Sequence, residues 1–284
     1  MASAFQLTDQ TAWCPGCGNF AIRQAVAQAL TLCELEPHEV VLVSGIGQAA
    51  KLPHYINTNV FNGLHGRAVP AATAIKAANH HLQVLVTTGD GDCYGEGGNH
   101  LLHAFRRNPD ITILVHDNQV YGLTKGQASP TSEYGFVTKL QSHGVKNEPL
   151  DPAALAVAMD ASLVARGFAG DIPGLAALIA RAVKHRGLSL VDILQPCVSF
   201  NKLNTYAWYR QRVYYPAEGT HDPGDRVAAF RLALEWGDRI PLGVIYENER
   251  PVFEDQFAAL AQGPLVSQPY PAPGLLEKAL AAFY

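Results

Sequence analysis

Two rhythms of apolar and polar positions take turns along this chain. Asn19–Leu32 has apolar residues at the spacing of one helical face, and Val40–Val43 is an unbroken apolar, largely β-branched run. Ala71–Asn79 returns to helical spacing, followed by a strand over Gln83–Thr88, a helix over Gly98–Arg107 and a strand over Ile111–Val115. Asp151 is placed to cap a helix over Pro152–Met159 with proline at its first position, and Asp171 to cap a second over Pro173–His185. Ser162–Ala165 and Leu188–Leu194 read as strands. Strand and helix therefore alternate from Asn19 to Leu194, which predicts an α/β fold: a mostly parallel sheet flanked by helices on both faces. After Pro196 the rhythm breaks. Residues 201–216 are rich in Tyr, Trp and Asn without a clean period, a helix over Arg226–Trp236 is capped by Asp225, and Pro264–Pro273 carries four prolines, as a segment wrapping over a surface does. The expected division is an α/β domain over residues 1–200 and an irregular C-terminal extension over 201–284 that serves as an interface.

Composition narrows the class. With 284 residues, 48% hydrophobic and 16% charged, the chain can bury a sizeable core, which excludes a disordered protein. Its 21 basic and 25 acidic residues give a formal charge of −4, so no basic field exists to hold nucleic acid. No apolar stretch reaches the roughly 18 residues needed to span a bilayer, and no basic segment leads into an apolar one at the N-terminus. Five cysteines are too few, and odd in number, for a secreted disulfide scaffold. A cytoplasmic location is expected.

The candidate chemistry sits where strands end. Gly45-Ile46-Gly47-Gln48, Gly89-Asp90-Gly91-Asp92, Asp117-Asn118-Gln119 and Gln195-Pro196-Cys197 each follow a predicted strand directly. Open parallel sheets bind ligands beyond the carboxyl ends of their strands, so four such loops point to one composite site. Asp90 and Asn118 are 28 residues apart, with one helix and one strand between them, so a right-handed crossover sets them at neighbouring strand tips. Both offer hard oxygens suited to Mg²⁺, which keeps few protein ligands and fills its octahedron with phosphate oxygens and water. Gly89, Gly91, Gly95, Gly97 and Gly98 let backbone approach a phosphate, and the helix from Gly98 is expected to turn its positive end to it. A bare Gly-Asp-Gly-Asp is often only a turn. With a strand before it and Asp117-Asn118 after the next strand, it resembles the diphosphate motif of thiamine-diphosphate enzymes.

Trp13-Cys14-Pro15-Gly16-Cys17 admits three readings. A thioredoxin site needs a core strand ahead of it, and Phe5–Leu7 is short for one. A zinc knuckle needs four ligands, and no second Cys-x-x-Cys exists. The third reading is an iron–sulfur cluster on Cys14, Cys17 and a distant cysteine, for which Cys197 at the same sheet edge is the natural partner. Cys33 is expected to be helix-end packing, and Cys93 to line the phosphate pocket.

Beyond these spacings the chain resembles the β subunits of 2-oxoacid:ferredoxin oxidoreductases, most closely those acting on 2-oxoglutarate. The resemblance rests on Cys14-Pro15-Gly16-Cys17-Gly18, Ser44-Gly45-Ile46-Gly47, Lys51-Leu52-Pro53-His54-Tyr55, Leu64-His65-Gly66-Arg67-Ala68, Gly89-Asp90-Gly91-Asp92, Gly97-Gly98-Asn99-His100, Tyr121-Gly122-Leu123-Thr124-Lys125-Gly126-Gln127 and Ser129-Pro130-Thr131. It covers roughly residues 10–265. It implies a thiamine-diphosphate-binding fold, with cofactor contacts at Gly45, Ile46, Gly47, His65, Gly66, Arg67, Gly89, Asp90, Gly91, Asp92, Asn118, Val120, Gly122 and Leu123. Mg²⁺ would be held by Asp90, Asn118 and the Val120 carbonyl, and one [4Fe-4S] cluster by Cys14, Cys17 and Cys197. The family usually has a cysteine ligand where this chain has Gln48, which leaves the fourth cluster ligand open: a non-cysteine group, Cys93, an altered cluster or none.

The implied reaction is the reversible, CoA-dependent oxidative decarboxylation of 2-oxoglutarate to succinyl-CoA and CO₂, with electrons passed through the cluster to ferredoxin. An α subunit, in an (αβ)₂ heteromer, would complete the site and supply the glutamate that activates the cofactor, so this chain alone would be inactive. Lys125 is expected to pair with the distal carboxylate of 2-oxoglutarate. Lys51 is expected to bind the 1-carboxylate or to position the cofactor. His100 and His103, three apart on one helix, are ordinary packing groups, and the Tyr206–Tyr215 aromatics, with little basic interleaving, suit a subunit interface. The rival readings are a pyruvate or broad 2-oxoacid enzyme, a non-redox thiamine-diphosphate decarboxylase, and a zinc- or cluster-stabilised electron-transfer module.

Overall fold

Successive strand residues point to opposite faces, and the buried side chains sort accordingly. Val40, Leu42, Leu85, Leu114 and Val191 enter one core with helices α1 (Gly18–Leu32) and α5 (Ile172–Lys184). Val41, Val43, Val84, Val86, Ile113, Val115 and Leu190 enter a second core under α2 (Ala68–Ala78), α3 (Gly98–Arg107), α4 (Pro152–Ala158) and α7 (Arg226–Ala233). Both faces are thus covered, as a parallel sheet requires. Each fully buried Leu or Ile on these faces contributes roughly 1.5–3 kcal/mol. The computed structural model from which this architecture is drawn describes residues 4–269 and 274–283.

The strands are β1 (Val40–Ser44), β2 (Asn59–Asn62), β3 (Gln83–Gly89), β4 (Thr112–Asp117), β7 (Leu163–Phe168), β8 (Ser189–Leu194) and β11 (Gly243–Glu247), in the order β11-β7-β8-β4-β3-β1-β2. All neighbours pair in parallel except β11, which runs antiparallel to β7 with a bulge between Val244 and Tyr246. Short pairs stand apart from this sheet: β5 (Val120–Tyr121) with β6 (Gln127–Ala128), and β9 (Val213–Tyr214) with β10 (Ile240–Pro241). The expected capping holds: Asp151, Asp171 and Asp225 accept from the first-turn amides of α4, α5 and α7. No described helix is long and apolar enough to cross a membrane.

Several expectations change. Helix α2 begins at Ala68, three residues early, because Pro70 fits a first helical turn. Strand β2 is not legible in the sequence; its four residues are all exposed at the open edge of the sheet, with Val60, Phe61 and, just beyond, Leu64 facing outward. The segment after residue 200 is woven into the fold: β11 supplies the seventh strand, and α7 packs under it with α4. The Tyr206–Tyr215 aromatics, expected as an interface, pack mostly inward. Tyr209 is fully buried in a third core with Phe168, Leu194, Ile240 and Leu242, and Tyr206 and Trp208, both on α6 (Tyr206–Arg210), lean on it. Tyr215 alone of the group is largely exposed, and it donates to Asp171 at the start of α5. The proline-rich tail makes tight turns at Leu260–Gln262 and Leu265–Ser267, and residues 270–273 lie outside the described residues.

Candidate functional site

The chain after β3 does not turn straight into α3. Gly91–Glu96 forms a π-helical turn, closed by the Gly97 amide on the Asp92 carbonyl, with Asp90 as its cap. The positive helix end at the sheet edge therefore belongs to Asp90 and Gly91, and not to Gly98 as expected. Gly91 is required there: a Cβ would lie 2.3 Å from the Tyr121 ring.

Asp92 is the hub of this turn. It is buried, and its Oδ1 accepts from the amides of Gly66 (2.8 Å) and Ile46 (3.3 Å) and stands 2.6 Å from His65 Nδ1. Thr88 Oγ1 donates to its Oδ2 at 2.7 Å. Asp92, Gly66 and His65, expected as cofactor contacts, thus spend these polar groups on one another and clamp three loops together. Gly45 has no room for a side chain, since a Cβ would lie 2.0 Å from Asp92 Oδ2. Gly66 has φ +70°, and a Cβ would meet the Glu96 backbone at 2.5 Å. Gly66→Ala is expected to cost about 1–3 kcal/mol of stability, read as a lower thermal midpoint of the purified chain.

Behind the turn lies a chain of buried acids. Thr131 Oγ1 is 2.9 Å from Asp90 Oδ2 and 2.7 Å from Asp117 Oδ1. A hydroxyl has one proton to give, so one of these carboxyls must itself carry a proton. Burial raises both, and Asp117 well above the usual carboxylate range, with Asp192 and Asp90 adding to it. Burial therefore favours one proton shared across the Asp90–Thr131–Asp117 set. Asp192, one strand over, accepts from Tyr94 at 2.8 Å and is pushed up to about 7 by burial, against the pull of Arg166. A carboxyl with a raised folded-state pKa favours folding while protonated and loses that contribution as pH rises through about 7. Wild-type stability should fall between pH 6 and pH 8 by on the order of 1 kcal/mol from this group. Asp192→Asn should flatten that fall and match wild type only at or below about pH 4, where the carboxyl is protonated in the unfolded chain as well, in thermal melts across the range.

Asp90 and Asn118 line one cavity, with Ile46, Gly47, Gln48, His65, Gly89, Val120, Gly122 and Leu123. Asn118 Oδ1 accepts from the Val120 amide at 3.0 Å, and its backbone carbonyl accepts from Asn201 Nδ2 at 3.3 Å. Two side-chain oxygens and nearby carbonyls at glycine-rich strand tips form a hard donor set of the kind Mg²⁺ takes with a diphosphate. The cavity measures about 80 Å³, well below the roughly 300–1,000 Å³ of a pocket that encloses a small ligand. This chain supplies one wall.

A second cavity adjoins the first and shares Gln48, Asn118 and Gly122 with it. Cys14, Cys17 and Cys197 all line it, with Trp13, Asn19 and Gln195. The loops are packed together: Trp13 Nε1 donates to the Gln48 carbonyl at 2.9 Å, Gln195 Nε2 to Cys17 Sγ at 3.4 Å, and a Cβ on Gly18 would lie 2.5 Å from Gln195 Cγ. Burial raises the Cys17 thiol, and Cys197 and Cys14 raise it further, as neighbouring thiolates do. Asn19 Nδ2, Gln48 Oε1 and Gln195 Oε1 are buried on this wall without partners. Asn19 is held from behind by His116, whose Nδ1 is 2.8 Å from its Oδ1; burial drops His116 to about 3, so it is neutral. Among the described residues no three Cys, His, Asp or Glu side chains converge as ligands of a single ion do. A cubane instead spreads its ligands over separate corners, and three thiols sharing a wall with unpartnered polar atoms fit it. Cys93, weighed as a pocket residue and as a fourth ligand, is 2% exposed and packs into the second core beneath the π-turn. Cys33 caps the end of α1, its thiol 3.6 Å from the Ala180 carbonyl.

Five expected residues do not line these walls: Gly45 and Gly66, held in the Asp92 clamp, and Lys51, Arg67 and Lys125. Arg67 is exposed at the start of α2, Lys51 is half-buried on a 3₁₀ turn, and Lys125 is exposed at the tip of the β5–β6 hairpin with φ 84°. Thr124, beside Lys125, does line the first cavity. Thr131 and Gln195 enter the sequence reading only inside Ser129-Pro130-Thr131 and Gln195-Pro196-Cys197, with no role of their own, and Asn19 and Asn201 are not singled out. Only Asn19, two residues past Cys17, and Gln195, two before Cys197, have a signal in their position.

Residues 40–193 match the family signature "Thiamine pyrophosphate enzyme, C-terminal TPP binding domain", and residues 197–262 match the signature for the C-terminal part of the pyruvate ferredoxin oxidoreductase beta subunit. The chain is 43% identical to the 2-oxoacid:ferredoxin oxidoreductase subunit beta of a Sulfolobus species, over 94% of this chain and 91% of that one. It is 44% identical to the 2-oxoglutarate oxidoreductase subunit KorB of Mycobacterium tuberculosis, over 69% of this chain and 53% of that one. Its fold matches a solved 2-oxoglutarate:ferredoxin oxidoreductase from Magnetococcus marinus, with 2-oxoglutarate, coenzyme A and succinyl-CoA bound, at a TM-score of 0.90 and 34% identity, covering 98% of this chain and 94% of that one.

Proposed function

This chain belongs to the family of 2-oxoacid:ferredoxin oxidoreductase β subunits, and from that premise we propose that it works with an α subunit, in the cytoplasm, on 2-oxoglutarate. The reaction is the reversible conversion of 2-oxoglutarate and CoA to succinyl-CoA and CO₂, with electrons leaving to ferredoxin. Family membership sets aside a stand-alone electron-transfer or zinc module. The observation that carries the reading is the shared wall: Gln48, Asn118 and Gly122 face both the Asp90 cavity and the three-thiol cavity. A diphosphate cofactor and a redox cluster held there would be neighbours.

Asp90, Asn118 and the Val120 carbonyl would hold Mg²⁺ and thiamine diphosphate; Cys14, Cys17 and Cys197 would hold a [4Fe-4S] cluster. When bound, the cofactor supplies the electron sink for loss of CO₂, and the cluster a one-electron acceptor. The chain's own residues do the rest. Thr131 fixes Asp90, Asn201 steadies the Asn118 carbonyl, and the Asp92 clamp keeps the Gly45–Gln48 and His65–Gly66 loops at the cavity rim. Lys125, at the hairpin tip beside the cavity-lining Thr124, reads the distal carboxylate. Lys51 meets the 1-carboxylate or positions the cofactor from outside the wall. The partner subunit supplies the remaining walls and the activating glutamate.

The test is anaerobic co-purification with the α subunit, followed by iron, sulfide and thiamine analysis. CoA-dependent ferredoxin reduction is then measured with 2-oxoglutarate and with pyruvate, the substrate named in the second matching signature. The expected result is a thiamine-loaded, iron–sulfur heteromer faster on 2-oxoglutarate. Decarboxylation without iron, or a preference for pyruvate, overturns the assignment. Lys125→Ala should raise KM for 2-oxoglutarate about threefold to fivefold, the loss of roughly 0.6–1 kcal/mol for an exposed ion pair, with pyruvate turnover unchanged.

A further inference from the structure

We infer that Gln48 supplies the fourth ligand of the iron–sulfur cluster through its side-chain carbonyl oxygen, giving a cluster with one chemically distinct iron. This rests on the proposed function and extends it. A cubane has four irons to ligate, and three thiols line the cavity. The two remaining cysteines are committed elsewhere, Cys93 in the core under the π-turn and Cys33 at the end of α1. A non-thiolate group on the wall is the candidate for the fourth iron.

Gln48 Oε1 is buried and has no hydrogen-bond partner, a costly state for a carboxamide oxygen unless something accepts its lone pairs. The residue is fixed in place: Trp13, next to Cys14, donates to its main-chain carbonyl, and its Cγ lies 3.8 Å from where a Cβ on Gly122 would stand. The side chain is thereby laid along the wall between the two cavities.

Gln48 also comes from a direction no thiol occupies. Cys14 and Cys17 precede α1 and Cys197 follows β8, whereas Gln48 follows β1. Gln195 Oε1 is unpartnered too, but its amide is already bound to Cys17 Sγ and its stem is wedged against Gly18. Its reach is confined to a corner a thiol already serves. Asn19 presents Nδ2, a donor, because His116 engages its oxygen. That group suits a hydrogen bond to a cluster sulfur rather than ligation.

The experiment is Mössbauer spectroscopy on the αβ holoenzyme grown on ⁵⁷Fe, with iron counted before and after a ferrous chelator. Wild type should show one iron of the four set apart from the thiolate-bound three, and should lose that iron to the chelator. Gln48→Cys should make all four alike and resistant, and Gln48→Glu should keep the distinct iron with an oxygen ligand. Four equivalent irons in wild type, or a distinct iron that survives Gln48→Cys, would overturn the inference. If Gln48→Cys fails to assemble, Gln48→Leu decides instead, since an unaltered distinct iron there excludes Gln48. Holoenzyme with no iron at all overturns the cluster reading itself, and iron analysis separates that case from the others.

Discussion

On the proposed reading, in which Asp90 holds Mg²⁺ and thiamine diphosphate, Asp90→Asn should abolish the stabilisation those ligands give while leaving the unliganded chain as stable as wild type or more so. The two halves of this result have opposite causes. Asp90 is buried, and burial raises its carboxyl, so as a charged group it costs the unliganded fold. An amide of the same shape removes that cost and still accepts from Thr131. The same change takes away the negative ligand a divalent cation needs. Outer-shell changes alone weaken metal binding about 10–100-fold, so loss of a direct ligand should exceed about 100-fold. Saturating ligand at about 100 times Kd stabilises by ~2.7 kcal/mol. Wild-type holoenzyme should therefore gain several degrees in thermal midpoint on addition of both ligands, and Asp90→Asn should gain nothing. An Asp90→Asn protein that still shifts with thiamine diphosphate would remove Asp90 from the site.

Cys197→Ala should strip the iron and bring ferredoxin reduction to background while thiamine diphosphate still binds. The thiol cavity and the Asp90 cavity share a wall but not these ligands, since Cys197 lines only the former. Losing one of three thiols leaves two on the N-terminal loop, too few to keep a cubane. Cys93→Ala is the contrast: it should keep full iron and cost about 1–2 kcal/mol for a small core cavity. Iron analysis beside a thiamine diphosphate titration measures all three. Full iron in Cys197→Ala, or lost iron in Cys93→Ala, would reverse their assigned roles.

What the sequence disclosed follows physical lines. Strands β1, β3, β4 and β8 carry period-two or unbroken apolar runs, and α4, α5 and α7 carry caps, so both were legible. Asp90, Asn118 and Cys197 were grouped because strand tips in a parallel sheet share an edge, and Cys14 and Cys17 by their Cys-x-x-Cys spacing. Strand β2 was not, because an edge strand exposed along its length has no burial pattern to read. The Asp92 clamp was hidden for a different reason. Asp90 and Asp92 look alike in a Gly-Asp-Gly-Asp string and both line the cavity, and only the π-turn shows that Asp92 also ties three loops together. Thr131 was quoted only as part of Ser129-Pro130-Thr131, and its role stayed unread because it depends on contact with Asp90, 41 residues away. The aromatics of 206–215 were misread since composition cannot tell a surface that meets a partner from one that meets its own sheet.

The open rim at β2 bears on how such a protein must be produced. Unsatisfied backbone groups flanked by Val60, Phe61 and Leu64 invite another strand to add on. A copy synthesised without its companion carries that adhesive border into a crowded cell, where it can recruit a twin as readily as the intended mate. Expressed alone, the chain is therefore expected to self-associate along this edge, read as loss of soluble protein.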